Sequence, residues 1–374
     1  MEDTQPAGDG TRLTLRHILT FGVVVVTLGG IFLANLFYTA PVVSQSERRT
    51  LATLPIPSWG PVSSAQFMDD FEDYAADSFI GRDQWRTLKA LTVFGVYFQT
   101  DKSGLYFGDS GAGKFQPINE ASWHKAAAKI QRVADSLEGM NIYYSFIPDK
   151  SVYAGRYLPG FDPDQARALL GADLPDLAPV DLTNSLSAQD FYRTDLHWDQ
   201  TKLTGVTATL AQTMGFAPPT LTPIETAGLF SGVYPGQLAL PMADDVMTYV
   251  DLPESITASY LNAKTLAWED GPVYDLNRFA GPDPYDLFLR GATPLVTLTN
   301  ANAPSDKHLY IFRDSFGSSI APLLAQSYAQ VTLIDLRYVD WKLVPDLVDF
   351  VPGSDVWFCY SSQILNSESV LLVH

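Results

Sequence analysis

The sequence predicts an α/β protein, a parallel sheet covered by helices on both faces and preceded by an apolar N-terminal helix. Three observations carry this. Short apolar runs alternate with helix-period segments through the C-terminal third. A matching helix and strand lie between 122 and 147. One long uncharged stretch stands at the N-terminus. With 374 residues, 46% of them hydrophobic and 18% charged, the chain can bury a large core.

Residues 1–16 are polar and contain Gly and Pro, a short cytoplasmic tail. Ile18 to Phe37 carries no charge; at 1.5 Å per residue it spans about 30 Å, a bilayer's hydrocarbon thickness. It is apolar on every face, unlike a core helix. It is long for a signal peptide, and the best cleavage site, near Tyr38-Thr39-Ala40, has a large residue at its first position. An uncleaved transmembrane anchor over 17–38 is therefore expected. Arg12 and Arg16 favour a cytoplasmic N-terminus, although Arg48 and Arg49 pull the other way. The bulk of the chain is then extracytoplasmic: a Pro- and Ser-rich stalk over 39–64 and a catalytic domain over 65–374.

Phe67, Phe71 and Tyr74, then Phe79, Trp85 and Leu88, place helix over roughly 65–95. Aromatics and glycines from Val96 to Phe115 read as a hairpin. Ser122 caps a helix bearing Ile130, Val133, Ala134 and Leu137 on one face, stopped by Gly139. Ile142 to Ile147 is a buried strand ending at Pro148. Residues 216–305, rich in Pro and Gly, read as an irregular insertion of long loops over the site. Beyond it, Leu309–Phe312, Val331–Leu336 and Val356–Tyr360 are strands. Phe316, Ile320, Leu323 and Leu324 form a helix face, and Val339–Phe350 reads as mostly helical. No internal repeat is visible.

Composition excludes several function classes. Lys and Arg number 24 against 42 Asp and Glu, a formal charge of −18, the wrong sign for a nucleic-acid surface. The single cysteine, Cys359, excludes an intrachain disulfide and a Cys-based zinc site. No metal or cofactor is expected.

In parallel sheets ligands sit at the carboxyl ends of the strands. Those ends are Pro148-Asp149-Lys150, Arg313-Asp314-Ser315, Asp335 to Tyr338, and Tyr360-Ser361-Ser362. Ser315 follows the strand LYIF and opens a helix, where the N–H groups after it can face a developing oxyanion and Gly317 leaves room. The bland alternative is that Asp314 or Ser315 is only a helix cap. Among five histidines, His197 lies two residues from Asp195 in the loop RTDLHWD. An Asp can hold one ring N–H while the other nitrogen takes a serine proton. The alternatives are a chance surface pair, or a metal site adding His308. Two decoys fall together. Gly108 to Lys114 resembles a phosphate loop but has Phe115 where Ser or Thr is required. Its Gly-Asp-Ser lacks a following helix, so Ser110 reads as a turn residue.

These residues resemble a known family. TDLHW resembles the TDHHW signature of the bacterial DHHW proteins, with Leu196 at the first His. FRDSFGSSIAPLLAQSY resembles their (K/R)DSFG-x-x-x-x-P-x-L segment. SERRTLATLP, FEDYAADSFIGRDQW and LIDLRY also look like family landmarks. The family is similar to the SGNH-hydrolase-like alginate O-acetyltransferases. The resemblance implies a flavodoxin-like, SGNH-type three-layer sandwich with Ser315 as nucleophile, His197 as base and Asp195 as its orienter. It further implies acetylation or deacetylation of a cell-surface polysaccharide, with a membrane-bound O-acyltransferase as donor partner. Arg313, standing where the family's triplet has Gly, joins Phe316 and Gly317 as an oxyanion candidate. Arg337, Tyr338, Lys150 and Tyr360 either line the site or are ion-paired sheet edges. The non-enzymatic alternative is an anchored scaffold or glycan-binding subunit of a surface-polymer assembly complex, with 216–305 as a sugar platform.

Overall fold

A computed structural model describes residues 15–44, 46–56, 64–108, 111–154 and 161–374. Most of the expected tail, part of the stalk and the decoy residues Asp109 and Ser110 lie outside them. The chain divides into two compact units, one up to Lys89 and one from Ala90 onward.

In the first unit, helix α1 (Leu15–Phe37) has no buried residue and is long and apolar enough to cross a membrane. Helices α2 (Ser64–Asp77) and α3 (Arg82–Leu91) follow the expected aromatic spacing but are broken between Ser78 and Gly81, where Gly81 adopts φ +70°. Asp77 organises this unit. Its carboxylate accepts both terminal nitrogens of Arg49, at 2.8 and 2.6 Å, and the N–H of Ala52. The Arg49 hydrogen bonds are the main reason its carboxyl is held down at about 2. The sequence reading grouped α2 and α3 with a domain starting at 65; α2 and most of α3 fall in the first unit.

The second unit is built on one eight-stranded sheet. Its strands are β1 (Asn141–Ile147), β2 (Ala178–Pro179), β3 (Ile256–Leu261), β4 (Trp268–Gly271), β5 (Leu295–Asn300), β6 (His308–Arg313), β7 (Gln330–Ile334) and β8 (Asp355–Ser361). The spatial order is β4-β3-β5-β7-β6-β8-β1-β2. From β7 to β2 every pairing is parallel, as expected. From β7 to β4 every pairing is antiparallel. This corrects the view of 216–305 as irregular: it supplies three sheet strands and a separate hairpin pairing Ile224–Phe230 with Asp245–Val250.

Alternation along β6 shows why both faces are covered. Leu309 and Ile311 pack with α6 (Thr204–Met214) and α7 (Ser315–Leu324). Tyr310 and Phe312 pack with α4 (Glu120–Ala134) and α5 (Pro163–Asp173). Buried strands read as continuous apolar runs for this reason. Two local expectations fail. The cap of α4 is Asn119, whose side chain accepts the N–H of Ser122; the Ser122 hydroxyl instead donates to Leu365 O at 2.7 Å. The 339–350 stretch forms only a short turn, Trp341–Leu343, and a single helical turn, Val344–Leu347, with Pro345 at the start of the second, where its ring and missing N–H prevent one continuous helix through both.

Candidate active site

Ser315 is the first residue of α7, immediately beyond β6. Asp314 is the cap: its Oδ1 accepts the N–H of Phe316 at 3.0 Å and its Oδ2 accepts the N–H of Ser361 at 2.7 Å. The cap role thus goes to the aspartate, which ties the ends of β6 and β8 together and leaves the serine hydroxyl for other work.

The loop from Phe191 to Trp198 is closed by a bridge between those two residues and by the N–H of Tyr192 on His197 O at 3.1 Å. It brings the distant imidazole to the serine. His197 Nε2 lies 2.7 Å from Ser315 Oγ, and Nδ1 lies 2.7 Å from Asp195 Oδ1. A carboxylate only accepts, so Nδ1 carries the proton, Nε2 is the acceptor, and the hydroxyl donates to it. Asp195 is 2% exposed and His197 is 6% exposed. Burial alone pushes the Asp195 carboxyl up. The charge and hydrogen bonds of His197, with the N–H of Val233 on Oδ2, outweigh it and hold the carboxyl well below the ordinary range. The three expected groups are therefore brought together, and such an arrangement can move a proton off the serine hydroxyl.

The oxyanion expectations need correction. The N–H of Phe316 is taken by Asp314, and that of Gly317 by the Asp314 carbonyl at 3.2 Å. Ser315's own N–H, at the head of α7, forms no hydrogen bond among the described residues. Gly317 is required by packing: a Cβ there would fall 2.5 Å from Arg313 Cβ. Arg313 is 1% exposed and faces inward, toward Asp335 Oδ2 at 3.4 Å and Ser318 Oγ at 3.0 Å, and it donates to the carbonyls of Asp314, Gly291 and Thr293, while its Nε has no partner among the described residues. It is a buried ion pair, not a free anion binder. Arg337 grips Asp335 with two bonds, at 2.8 and 2.6 Å, and lies over the exposed Tyr338 ring. Tyr360 is fully buried and its hydroxyl has no partner among the described residues. Of the strand-end candidates, only Tyr338 is exposed.

Lys150 is buried as well, and its role is positional. Its ammonium donates to the carbonyls of Tyr192, Arg193 and Asp195, at 2.9, 3.4 and 2.8 Å. It thus clamps the loop that carries Asp195 and His197. Burial is the main cause that lowers the amine to about 8, against the raising effect of Asp195 and Asp149. At Lys150 the unfolded chain therefore binds more protons than the folded one between about 8 and 10.5, so this group's contribution to stability rises with pH across that window, against the opposite slope of the buried tyrosines, whose hydroxyls burial pushes up. Replacing Lys150 by Met abolishes this rise. The difference in urea midpoint between the two proteins, taken at each end of the window, checks the sign. The same variant leaves buried carbonyls unpaired and loses stability by about 2–3 kcal/mol near neutral pH.

Other contributors went unseen in the sequence. The Tyr285 ring stacks on the imidazole at 3.7 Å and 7°, and its hydroxyl donates to Ser319 Oγ at 2.7 Å. Asp245 accepts the N–H groups of Arg193 and Thr194 and the Thr194 hydroxyl. Gly232 sits so close to Thr194 O that a Cβ would fall at 2.3 Å. All three come from the 216–305 stretch, where no local motif marks them. Tyr285→Phe keeps the stack and loses one hydrogen bond, so kcat should fall little. Tyr285→Leu frees the imidazole plane and should lower kcat by roughly 10–100-fold. Steady-state kinetics of the pair, with near-UV circular dichroism for packing, check this.

His308, the third ligand of the metal alternative, begins β6, at the end opposite Ser315. No cluster of three or more His, Cys, Asp or Glu residues suited to a metal occurs among the described residues. Of the Gly108–Lys114 decoy, the described residues are strand: Leu105–Gly108 pairs antiparallel with Gly111–Lys114, and the Ala112 N–H donates to Arg193 O at 2.9 Å.

No protein-family model and no curated protein matches the chain. Solved structures do. A DHHW family protein from Eubacterium siraeum overlays with a TM-score of 0.60 at 18% identity, over 72% of this chain and 94% of that one. PatB1 of Bacillus cereus, solved with a sulfonyl adduct, overlays at 0.56 and 15% identity, over 72% of this chain and 98% of that one. The O-acetyltransferase domain of Pseudomonas putida AlgJ overlays at 0.42 and 15% identity, over 70% and 92%. The chain shares the fold of the DHHW family protein and of PatB1, as its sequence motifs anticipate.

Proposed function

We propose that this protein is a membrane-anchored, extracytoplasmic serine O-acyltransferase or esterase acting on a cell-surface polysaccharide. One observation carries the chemistry: Ser315, His197 and Asp195 form a single hydrogen-bonded chain at the carboxyl edge of the sheet. His197 takes the Ser315 proton as Oγ attacks an acyl carbonyl. The imidazolium, held by Asp195, returns the proton to the leaving group. The Ser315 N–H, at the positive end of α7, supplies one donor to the oxyanion. A sugar hydroxyl or water then takes the acyl group by the reverse path. The polysaccharide acceptor and a membrane-bound acyl donor protein rest on the family resemblance. Helix α1 supports the anchor. The sulfonyl adduct on PatB1 is in keeping with a nucleophile on this fold.

The test is covalent trapping. Full-length protein in detergent is incubated with a chromogenic acetyl ester or a sulfonyl fluoride, digested and mapped by mass spectrometry. The adduct is expected on Ser315 and absent from Ser315→Ala. An adduct on another residue, or none with either reagent, removes the proposed nucleophile.

A further inference from the structure

We propose that Ser319 is a positioning residue: its buried hydroxyl ties the ring that backs His197 to the helix that carries Ser315, and so sets how base and nucleophile meet. This rests on reading Ser315 as nucleophile and His197 as base. Ser319 lies one turn along α7 from Ser315 and is fully buried. A hydroxyl offers one proton and two acceptor positions, and all three are used here. Trp198 Nε1, which can only donate, reaches Ser319 Oγ at 2.8 Å. The carbonyl of Phe316, which can only accept, lies at 3.3 Å and takes the single proton. The remaining position takes the Tyr285 hydroxyl at 2.7 Å, so Tyr285 is the donor of that pair.

The three partners belong to both halves of the site. Trp198 follows His197 in the chain, and its Nε1 also reaches Phe316 O at 3.2 Å. Phe316 follows Ser315. Tyr285 lies flat on the His197 ring. Gln200 adds a fourth tie, its Nε2 donating to the carbonyl of Ser319 at 2.6 Å. The loop from 197 to 200, the ring at 285 and the first turn of α7 therefore converge on one residue. Two stacked flat rings resist tilting but can slide past each other; the bond from the Tyr285 hydroxyl to α7 removes that freedom. Alanine at 319 would leave Trp198 its second acceptor at Phe316. The buried Tyr285 hydroxyl would have no partner among the described residues, and the ring would move to find one. Changing Tyr285 to Phe as well removes the orphan. Replacing both members of a buried hydrogen bond is nearly neutral where replacing one is not. Recovery in the double variant thus separates this role from that of an ordinary core serine.

The experiment labels Ser315 with a sulfonyl fluoride in full-length protein in detergent. Labelling rates are read by mass spectrometry for the unmodified chain, Ser319→Ala, Tyr285→Phe and the double variant. Ser319→Ala should react about tenfold more slowly, and the other two variants within about threefold of the unmodified chain. An unchanged rate in Ser319→Ala overturns the proposal. A double variant as slow as Ser319→Ala also overturns it, because the loss then lies in packing around the helix. A second readout needs no reaction. With histidine alone isotope-labelled, NMR resolves the ring protons of the five histidines, and His197→Gln assigns the set that disappears. Stacking on Tyr285 should shift the His197 protons upfield; the shift should shrink in Ser319→Ala and return in the double variant. The same His197 signal in all of these proteins overturns the proposal. The expected shifts, with no labelling of the unmodified chain, remove the nucleophile and leave the hydroxyl's hold on the ring standing. If Ser319→Ala does not fold, Ser319→Cys, which keeps a weaker acceptor at the same place, is measured instead with the same order of rates expected.

Discussion

Ser315→Ala is expected to lower kcat for acyl transfer or ester hydrolysis by roughly 10⁴–10⁶-fold, with KM little changed. The hydroxyl is the only atom of the site that forms a bond to the acyl carbon in the proposed path, so no neighbour replaces it. The fold should survive, because the side chain makes one hydrogen bond among the described residues, to His197 Nε2, and is only partly buried. Water can take that contact, and the melting temperature should move by no more than about 2 °C. Initial rates with a chromogenic acetyl ester and a thermal melt of the same sample check both halves. Equal rates in variant and wild type remove Ser315 from the mechanism. An equal rate with a shifted melt shows a purely structural serine. The threshold separates this from loss of a positioning group, such as Tyr285, whose variants retain the nucleophile.

The parallel half of the sheet was legible because its strands are buried on both faces. LYIF and VWFCY are unbroken apolar runs bounded by turn residues, as a strand buried on both faces requires, and VTLI departs from that only at Thr332. The antiparallel half was not legible. In β3 and β5 the residues Ser259 and Thr297 interrupt the runs. Ser259 lies opposite Thr297, and Thr297 opposite Thr332 of β7, in a polar row across the sheet, so only pairing at long range defines those strands as part of it. Proline and glycine between them marked turns correctly and hid the strands they connect.

The site divides in the same way. Asp195 and His197 were legible because their relation is local, two residues apart. Ser315 was legible because a strand end and a helix start meet there. That the two halves meet across 118 residues came from the chemistry they share and from the family motifs, not from any local pattern. Lys150 was correctly placed at a strand end, yet its orientation is decided by three carbonyls of another loop. Arg313 shows the same limit: a cation at a strand end reads as a ligand for anions until Asp335, on the neighbouring strand's end, is seen to hold it. Tyr285 and Asp245 have no local signal, because what they do is set by tertiary contact alone.

Asp195→Asn is the second variant with a large expected effect, on the order of 10⁴-fold in kcat. The geometry explains why a change of one atom is so costly. Every donor around the carboxylate needs an acceptor. Oδ1 faces the ring Nδ1 and the backbone N–H of His197, and Oδ2 faces the N–H of Val233. An amide has one oxygen for these two positions. With NH₂ toward the ring, Nδ1 must become the acceptor, Nε2 then carries the proton, and the base points a hydrogen at the Ser315 hydroxyl. With NH₂ toward Val233, two donors face each other in a buried site, and the imidazolium formed in the reaction has lost its counter-charge. Both orientations impair proton removal, and each leaves a buried backbone N–H facing a donor, that of His197 in the first and that of Val233 in the second, at a cost of about 1–3 kcal/mol. Measured kcat should therefore collapse while the Ser315 hydroxyl stays in place. A nitrogen-resolved NMR spectrum of the imidazole discriminates the two cases, since it reports which ring nitrogen is protonated. Unchanged activity with the native tautomer retained would show that the carboxylate's charge has no part in the reaction, and the proton path drawn through His197 would have to be abandoned.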